Sequence, residues 1–274
     1  MRVLAEAGYD LLSNNMIPID WNPMPYLGPV PINWYGITFA IAIFTARSLV
    51  IRWAPNYGFS KDSIDRLLVW ILVGVVAGAR LYYVVQNDFP SYLTHPWRIL
   101  AIWEGGLAFF GGLIGGIGAA YLYCRRDGFD FARAGDLFAP AIPLGGAIGR
   151  ISCGLDGMDY GTPTELPWGV VYLNPNSYAP LDGVPRHPDQ YYELVGDLII
   201  AAILLRLRGK MRPGSLLLLY LIAFSVLRFF VFFLRGNVAP VALGLKNGQW
   251  TALVILVASA AMTLWRHGFQ EQNV

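Results

Sequence analysis

Apolar residues in this chain gather into runs of about twenty, separated by short polar or glycine- and proline-rich breaks, which is the spacing of helices that cross a bilayer. Seven runs read as spans, over residues 32–51, 67–86, 107–124, 134–154, 190–207, 214–234 and 249–265. Asp136, Pro140, Pro143 and several glycines interrupt the fourth. Such breaks survive at membrane depth where protein or a wet cavity covers the backbone, so an interrupted span marks a place to look for a site. The pattern predicts an all-α polytopic membrane protein, with residues 1–274 as one integral membrane domain. No fixed-period repeat, low-complexity tract or linker divides it.

Orientation follows from Lys and Arg, which favour the cytoplasmic side. Arg52, Lys61 and Arg66 follow span one; Arg125, Arg126 and Arg133 follow span three; Arg206, Arg208, Lys210 and Arg212 follow span five; Arg266 follows span seven. The opposite segments hold only Arg2, Arg98, Arg186, Arg235 and Lys246. An outside N-terminus and a cytoplasmic C-terminus are expected. Residues 1–30 lack the features of a cleaved signal peptide and are expected to lie at the membrane surface. Residues 87–106, with Tyr92, Trp97 and Trp103, read as an interfacial segment. Residues 155–189 read as a small external cap, which makes the outer face the working one.

Composition agrees: 55% of residues are hydrophobic and 14% charged, against about a quarter charged in soluble domains. The net charge of +2 gives no indication of nucleic acid as a partner. Cys124 and Cys153 fall at opposite ends of consecutive spans, so no disulfide framework is expected. His95, His187 and His267 are scattered, and neither a metal nor another cofactor is implied. Ser152 lacks the Gly-x-Ser-x-Gly frame of a serine nucleophile.

The stretch from Pro143 to Gly161 carries one arginine, Arg150, near the end of an apolar glycine-rich run. An arginine at the centre of a membrane helix costs roughly 2.5–3.5 kcal/mol on insertion scales, so it usually has a partner or a task. On the predicted topology Arg80, Arg150 and Arg228 all lie in the outer half of the bilayer, and Arg228 and Arg235, seven apart, share a helical face. These arginines either snorkel to the interface or pair with carboxylates, or they hold an anion from outside the chain. With Glu104 and Glu193 as the outer carboxylates, cations exceed anions at this level, and a lipid phosphate fits the guanidinium fork. Gly154, Gly157 and Gly161 lie where turn geometry or ligand contact is expected. His187, Gln190 and Glu193 enter span five together, with Gln190 and Glu193 on one face, and Asn33-Trp34-Tyr35-Gly36 opens span one at the same level.

At Gly149-Arg-Ile-Ser-Cys-Gly-Leu-Asp-Gly-Met-Asp-Tyr-Gly161, Leu166-Pro-Trp-Gly-Val170 and His187-Pro-Asp-Gln-Tyr-Tyr-Glu193 the chain resembles the bacterial prolipoprotein diacylglyceryl transferases. Asn33–Gly36, Gly78–Tyr82, Glu104–Leu107, Gly111–Gly115, Arg228 with Arg235, and Gly248-Gln249 extend the likeness over nearly the whole chain. The resemblance implies seven spans in the bacterial cytoplasmic (inner) membrane. It also implies transfer of the diacylglyceryl group of phosphatidylglycerol to the lipobox cysteine of preprolipoproteins, whose signal peptides are the protein partners. By position, Arg150 matches the arginine that binds phosphatidylglycerol, Arg228 a second essential arginine and Tyr35 an important tyrosine. Arg80, Cys153, Gly161, His187, Gln190, Glu193 and Arg235 are expected around the lipid. Phe110 stands where many members have histidine, Cys153 where many have asparagine, Met158 where some have glutamate, Phe224 where some have tyrosine and Phe232 where many have glutamate. The thiol proton then leaves either with help from the arginine field or to His187 or Glu104. Phe110 and Phe232 also suggest a second reading, a non-catalytic relative that binds anionic lipid or lipoprotein. A transporter would need ionisable residues through the inner half, and these are few.

Overall fold

Runs of Leu, Ile, Val, Phe and Ala with no competing polar pattern satisfy their backbone hydrogen bonds internally as helices, and the breaks fall at proline and glycine. The computed structural model describes residues 16–87, 92, 94–101, 103 and 105–271. Its helices are α1 (Trp34–Trp53), α2 (Lys61–Gln86), α3 (Phe109–Arg126), α4 (Phe131–Phe138), α5 (Ala141–Asp156), α6 (Asp189–Leu207), α7 (Ser215–Leu234) and α8 (Asn247–Glu271). The short strands are β1 (Ile17–Ile19), β2 (Tyr26–Leu27), β3 (Val30–Pro31), β4 (Val170–Tyr172), β5 (Pro240–Ala242) and β6 (Leu245–Lys246). Ser60 caps α2, its hydroxyl accepting from the Ser63 amide at 3.1 Å. The break expected at Pro140 separates α4 from α5, and Gly157, in the left-handed region at φ 74°, closes α5.

Among the described residues, five helical stretches are long and apolar enough to cross a membrane: Trp34–Tyr57, Lys61–Gln86, Phe131–Asp156, Ser215–Leu234 and Asn247–Arg266. The other two expected spans are helical but less apolar. Five glycines and the closing Arg125-Arg126 dilute α3, while Asp189, Glu193, Asp197 and Arg206 punctuate α6. Large apolar side chains such as Phe44, Leu72, Val73, Phe230 and Val257 are exposed, as suits a lipid surround and not water.

The contacts group into two compact units, Val50–Leu137 and the described residues on either side of it. In Val50–Leu137, α2 and α3 pack backbone to backbone. A β-carbon at Gly111 would strike the Gly78 carbonyl and Tyr82, and one at Gly115 the Gly74 carbonyl. Glycine is required there for close approach. In the other unit α5 packs on α6, α6 on α7 and α7 on α8. Ile200 and Leu204 of α6 meet Leu216 and Tyr220 of α7 around Ala139. The 157–188 segment is built partly from far away: β1 pairs in parallel with β4, Ile17 opposite Val170 and Ile19 opposite Tyr172. Ile19, Val170, Tyr172 and Ala179 form a small core beneath that pair. Nothing in the sequence pattern of residues 16–30 announced this strand.

Replacing Gly111 with valine should lower stability by about 1–3 kcal/mol, the usual range for overpacking. Gly118→Ala in the same helix, where a β-carbon meets nothing within 4 Å, should leave stability within about 1 kcal/mol of the parent. Thermal unfolding of the two variants in detergent checks the contrast.

Candidate functional site

Three helix ends meet in the larger unit. Arg150 sits near the end of α5, Asp189 and Glu193 open α6, and Arg228 and Arg235 stand one on the last turns of α7 and one just past it. Glu193, with 4% of its side chain exposed, is the common partner. The Arg150 Nη2 pairs with its Oε2. Arg228 Nη1 lies 3.5 Å, and Arg235 Nη2 3.4 Å, from its Oε1. Asp159, in the turn after α5, receives Arg150 Nη1 on Oδ2 at 2.9 Å and Arg235 Nη1 on Oδ1 at 2.5 Å. Arg235 Nε pairs with the fully buried Asp189 at 2.6 Å. Asp197, one turn beyond Glu193, is within electrostatic reach of Arg150 and Arg228.

The excess of cations expected from the sequence is therefore corrected. Among the described residues, Arg150, Arg228 and Arg235 face Asp159, Asp189, Glu193 and Asp197. Asp159 and Asp189, which flank the spans, and Asp197 within the fifth were left out of that count. Asp189, Glu193 and Asp197 recur every four residues, a signal of one helical face that the sequence carried. Asp159 had no such signal, because it lies in a turn. Burial alone would raise its pKa, but the charge and hydrogen bond of Arg235, then Arg150, outweigh this and hold the carboxyl below its ordinary value.

The three guanidinia differ in what they have left to give. Arg235, 3% exposed, is enclosed by three carboxylates. Arg150 is 19% exposed with two carboxylate partners. Arg228 is 28% exposed and, among the described residues, has the single long bond to Glu193. Its flat face rests 4.5 Å from the Phe232 ring centroid and 5.7 Å from that of Phe224. Phe232 also lies 4.9 Å from the Arg235 guanidinium, so its ring sits against both arginines. Gly248 leaves room for that ring, since a β-carbon there would overlap it. Gln249 ties the helices together, donating to the Phe229 carbonyl at 3.2 Å and accepting from the Lys246 amide at 2.9 Å. Lys246 closes α7, its Nζ donating to the Phe232 carbonyl at 2.9 Å and to that of Arg235, a favourable place for a cation.

Several other sequence candidates join this neighbourhood. Tyr35 and Cys153 are within electrostatic reach of Arg150 and Asp159. Gln190, fully buried, donates at 3.5 Å to the Cys153 carbonyl and to the Tyr172 hydroxyl, which donates to the Gly154 carbonyl at 2.9 Å. It braces the end of α5 beneath Arg150. Gly161 bridges Arg235, and a β-carbon on it would strike the His187 backbone. His187 Nδ1 lies 3.4 Å from the Tyr192 hydroxyl, which accepts from Trp168 Nε1 at 2.7 Å. Partial burial lowers the His187 pKa from 6.5, which favours the neutral ring.

Arg80 lies in the other unit and is held by backbone carbonyls. Buried in Val50–Leu137, its Nε donates to the Ile99 carbonyl at 2.9 Å, Nη1 to Gly105 and Gly106 at 2.6 and 3.1 Å, and Nη2 to Arg98 at 2.5 Å. Gly105 and Gly106, both at positive φ, turn their carbonyls toward it. With most of its N–H groups engaged by carbonyls, Arg80 organises a loop. Phe110, at the position of the family histidine, is half-exposed. Glu104 lies outside the described residues, as do Arg2 and parts of 87–106. Among the described residues no group of three His, Cys, Asp or Glu is placed to hold a metal.

Removing Arg235 would strip the fully buried Asp189 of its cation, so Arg235→Met should cost about 3–5 kcal/mol. Arg228→Met, at a more open position with one long contact, should cost roughly 1 kcal/mol. Thermal melts of the two purified variants test this ordering.

The model of the family described as prolipoprotein diacylglyceryl transferase matches residues 24–265. Among curated relatives, the phosphatidylglycerol–prolipoprotein diacylglyceryl transferase of Aromatoleum aromaticum is 34% identical over 259 residues, covering 90% of this chain and 96% of its own. That of Nitrosomonas europaea is 34% identical over 253 residues, covering 89% and 88%. That of Cupriavidus metallidurans is 35% identical over 253 residues, covering 88% and 92%.

Proposed function

We infer what the arginine cluster does from one premise: the chain belongs to the prolipoprotein diacylglyceryl transferase family. It is a membrane transferase of lipoprotein biosynthesis, moving the diacylglyceryl group of phosphatidylglycerol onto the lipobox cysteine of a preprolipoprotein. The cysteine sulfur bonds to the glycerol carbon that bears the phosphate. The carbon–oxygen bond to phosphate breaks, glycerol 1-phosphate leaves with the electron pair, and the thiol proton passes to a base.

The observation that carries the assignment of residues is the uneven engagement of the three guanidinia. Arg228 is held by its face against Phe232 and Phe224, which leaves most of its N–H edge unused. Arg150 is the next most open. In our reading these two grip the lipid phosphate and stabilise the charge that develops on it as the ester leaves. Arg235 keeps Glu193, Asp189 and Asp159 in place around them. Tyr35, Cys153 and Gln190 shape the pocket wall, and Gly161 admits the close turn beside Arg235. His187, kept neutral by burial, accepts the thiol proton.

The same reading extends to topology. α1, α2, α3, α4–α5, α6, α7 and α8 supply seven spans with the N-terminus outside and the C-terminus cytoplasmic, in the bacterial cytoplasmic membrane, acting as one integral membrane domain. The basic segments named above support this orientation. The cap at 155–189 then faces outward, where signal peptides of preprolipoproteins emerge, and phosphatidylglycerol reaches the arginines from the bilayer.

Arg150→Ala should abolish transfer from labelled phosphatidylglycerol to a lipobox peptide by the purified protein while leaving membrane insertion intact. Retained turnover would remove Arg150 from the mechanism, and lipid binding without any transfer by the parent would favour the non-catalytic relative. Independently, the acid limb of kcat/KM should rise with pH through a midpoint below the 6.5 of a free imidazole. His187→Gln should remove that limb, whereas an unchanged pH profile would place the base elsewhere.

A further inference from the structure

The reading of Arg150 and Arg228 as phosphate-binding groups leaves a difficulty of charge. The cluster already holds as many carboxylates as it needs, and a lipid phosphate adds another anion. One of the resident anions has to give way, and the structure distinguishes them.

Asp189 is fully buried and Glu193 and Asp197 are nearly so. Turning any of them away from its guanidinium would strand a carboxylate without water, at a cost of several kcal/mol per ion. Asp159 is different, with 24% of its side chain exposed. It bridges two arginines with one oxygen each, Oδ2 to Arg150 and Oδ1 to Arg235. A phosphodiester, like a carboxylate, presents two oxygens that share one negative charge. Arg150 retains Glu193 when Asp159 leaves, and Arg235 retains Asp189 and Glu193.

The backbone under Asp159 does not need to move. The Asn237 side chain donates to the Met158 carbonyl at 2.9 Å, and the Gly236 amide to the Tyr160 carbonyl at 2.8 Å. With the backbone held, release of the carboxylate falls to rotation about the side-chain bonds of Asp159, which is already partly exposed.

We propose that Asp159 is the exchangeable counter-ion of this site: its carboxylate yields Arg150 to the lipid phosphate and reclaims it to expel the glycerol phosphate. This rests on the proposed function and specifies a specificity-determining residue within it. No covalent step is involved; one ion pair replaces another. The device keeps Arg150 and Arg235 compensated in the empty site. It also sets a threshold for the incoming anion, since only a ligand held by Arg150 and Arg228 together displaces a carboxylate that bridges two guanidinia.

The test uses the full chain in nanodiscs and glycerol 1-phosphate as the probe, with binding read by calorimetry and transfer read separately. Asp159→Asn keeps the shape and removes the charge, and should bind glycerol 1-phosphate about tenfold more tightly than the parent. The apparent KM for phosphatidylglycerol should fall in proportion, and kcat should fall as product release slows. Asp159→Glu restores the anion and should return binding to within about threefold of the parent. A merely structural Asp159 predicts weaker or unchanged binding in Asp159→Asn, and either result overturns the proposal. If Asp159→Asn does not fold, infrared difference spectra of the parent with isotope-labelled aspartate decide the matter. An aspartate carboxylate band should shift when glycerol 1-phosphate is added, and a spectrum with no such band sinks the idea. The underlying function is checked in the same assay with Arg150→Ala. If that variant binds the probe as well as the parent, the phosphate reading itself fails; if Arg150 is required but Asp159→Asn gains nothing, only the counter-ion proposal falls.

Discussion

A carboxylate buried at the meeting point of three helices sets the terms for everything around it. Glu193 on α6 is almost inaccessible to solvent and is approached by guanidinia from the end of α5 and from two levels of α7. In a low-dielectric interior an unpaired charge of either sign is expensive, so each of these groups requires the others. The ion pairs therefore specify how the three helix ends meet more than they add to net stability. The glycines of the region serve the same end: Gly154 lets Tyr191 approach α5, and Gly146 accommodates Asp197.

Most of the helical framework was legible because it depends on local, repetitive signals. Apolar runs marked the helices, and Pro140 marked the break between α4 and α5. The conjunction of Arg150, Arg228, Arg235 and Glu193 could also be approached from the sequence, since charges inside apolar runs are costly wherever they occur. What escaped was whatever depends on contacts between distant segments or on backbone groups. The pairing of β1 with β4 joins residues some 150 positions apart. The clamp made by Arg80 uses carbonyl oxygens, which every residue possesses and no side-chain pattern reveals. Asp159 was visible only as one acid among several in a polar stretch, because a turn has no period from which to infer its partner. Asp197 is the instructive miss, as its spacing from Glu193 was available and only the intervening apolar residues drew attention away.

Two further features hold the arginines. Phe232, at a position where many relatives by resemblance carry a glutamate, places a π face against Arg228 and Arg235. A ring restrains a cation without adding a formal charge, so the acidic partners come from elsewhere, Glu193, Asp159 and Asp189. Lys246 adds a cation that is directed at carbonyl oxygens ending α7. It stiffens the turn that carries Arg235 and stands within electrostatic reach of Asp189. The site is thus held by aromatic faces and a capped helix end as well as by ion pairs.

The segment between α5 and α6 is fastened at both of its ends. The Thr162 amide donates to the Leu234 carbonyl at 2.7 Å, the Gly236 amide to the Tyr160 carbonyl at 2.8 Å, and the His187 amide to the Thr162 carbonyl at 3.0 Å. Where the chain leaves α5 and where it returns to α6, it is laced to itself and to the end of α7. The intervening segment is a noose drawn shut at its neck. Any bending of that segment falls beyond the neck, and the bonds at the neck keep its two ends tied to the end of α7, where Arg235 stands.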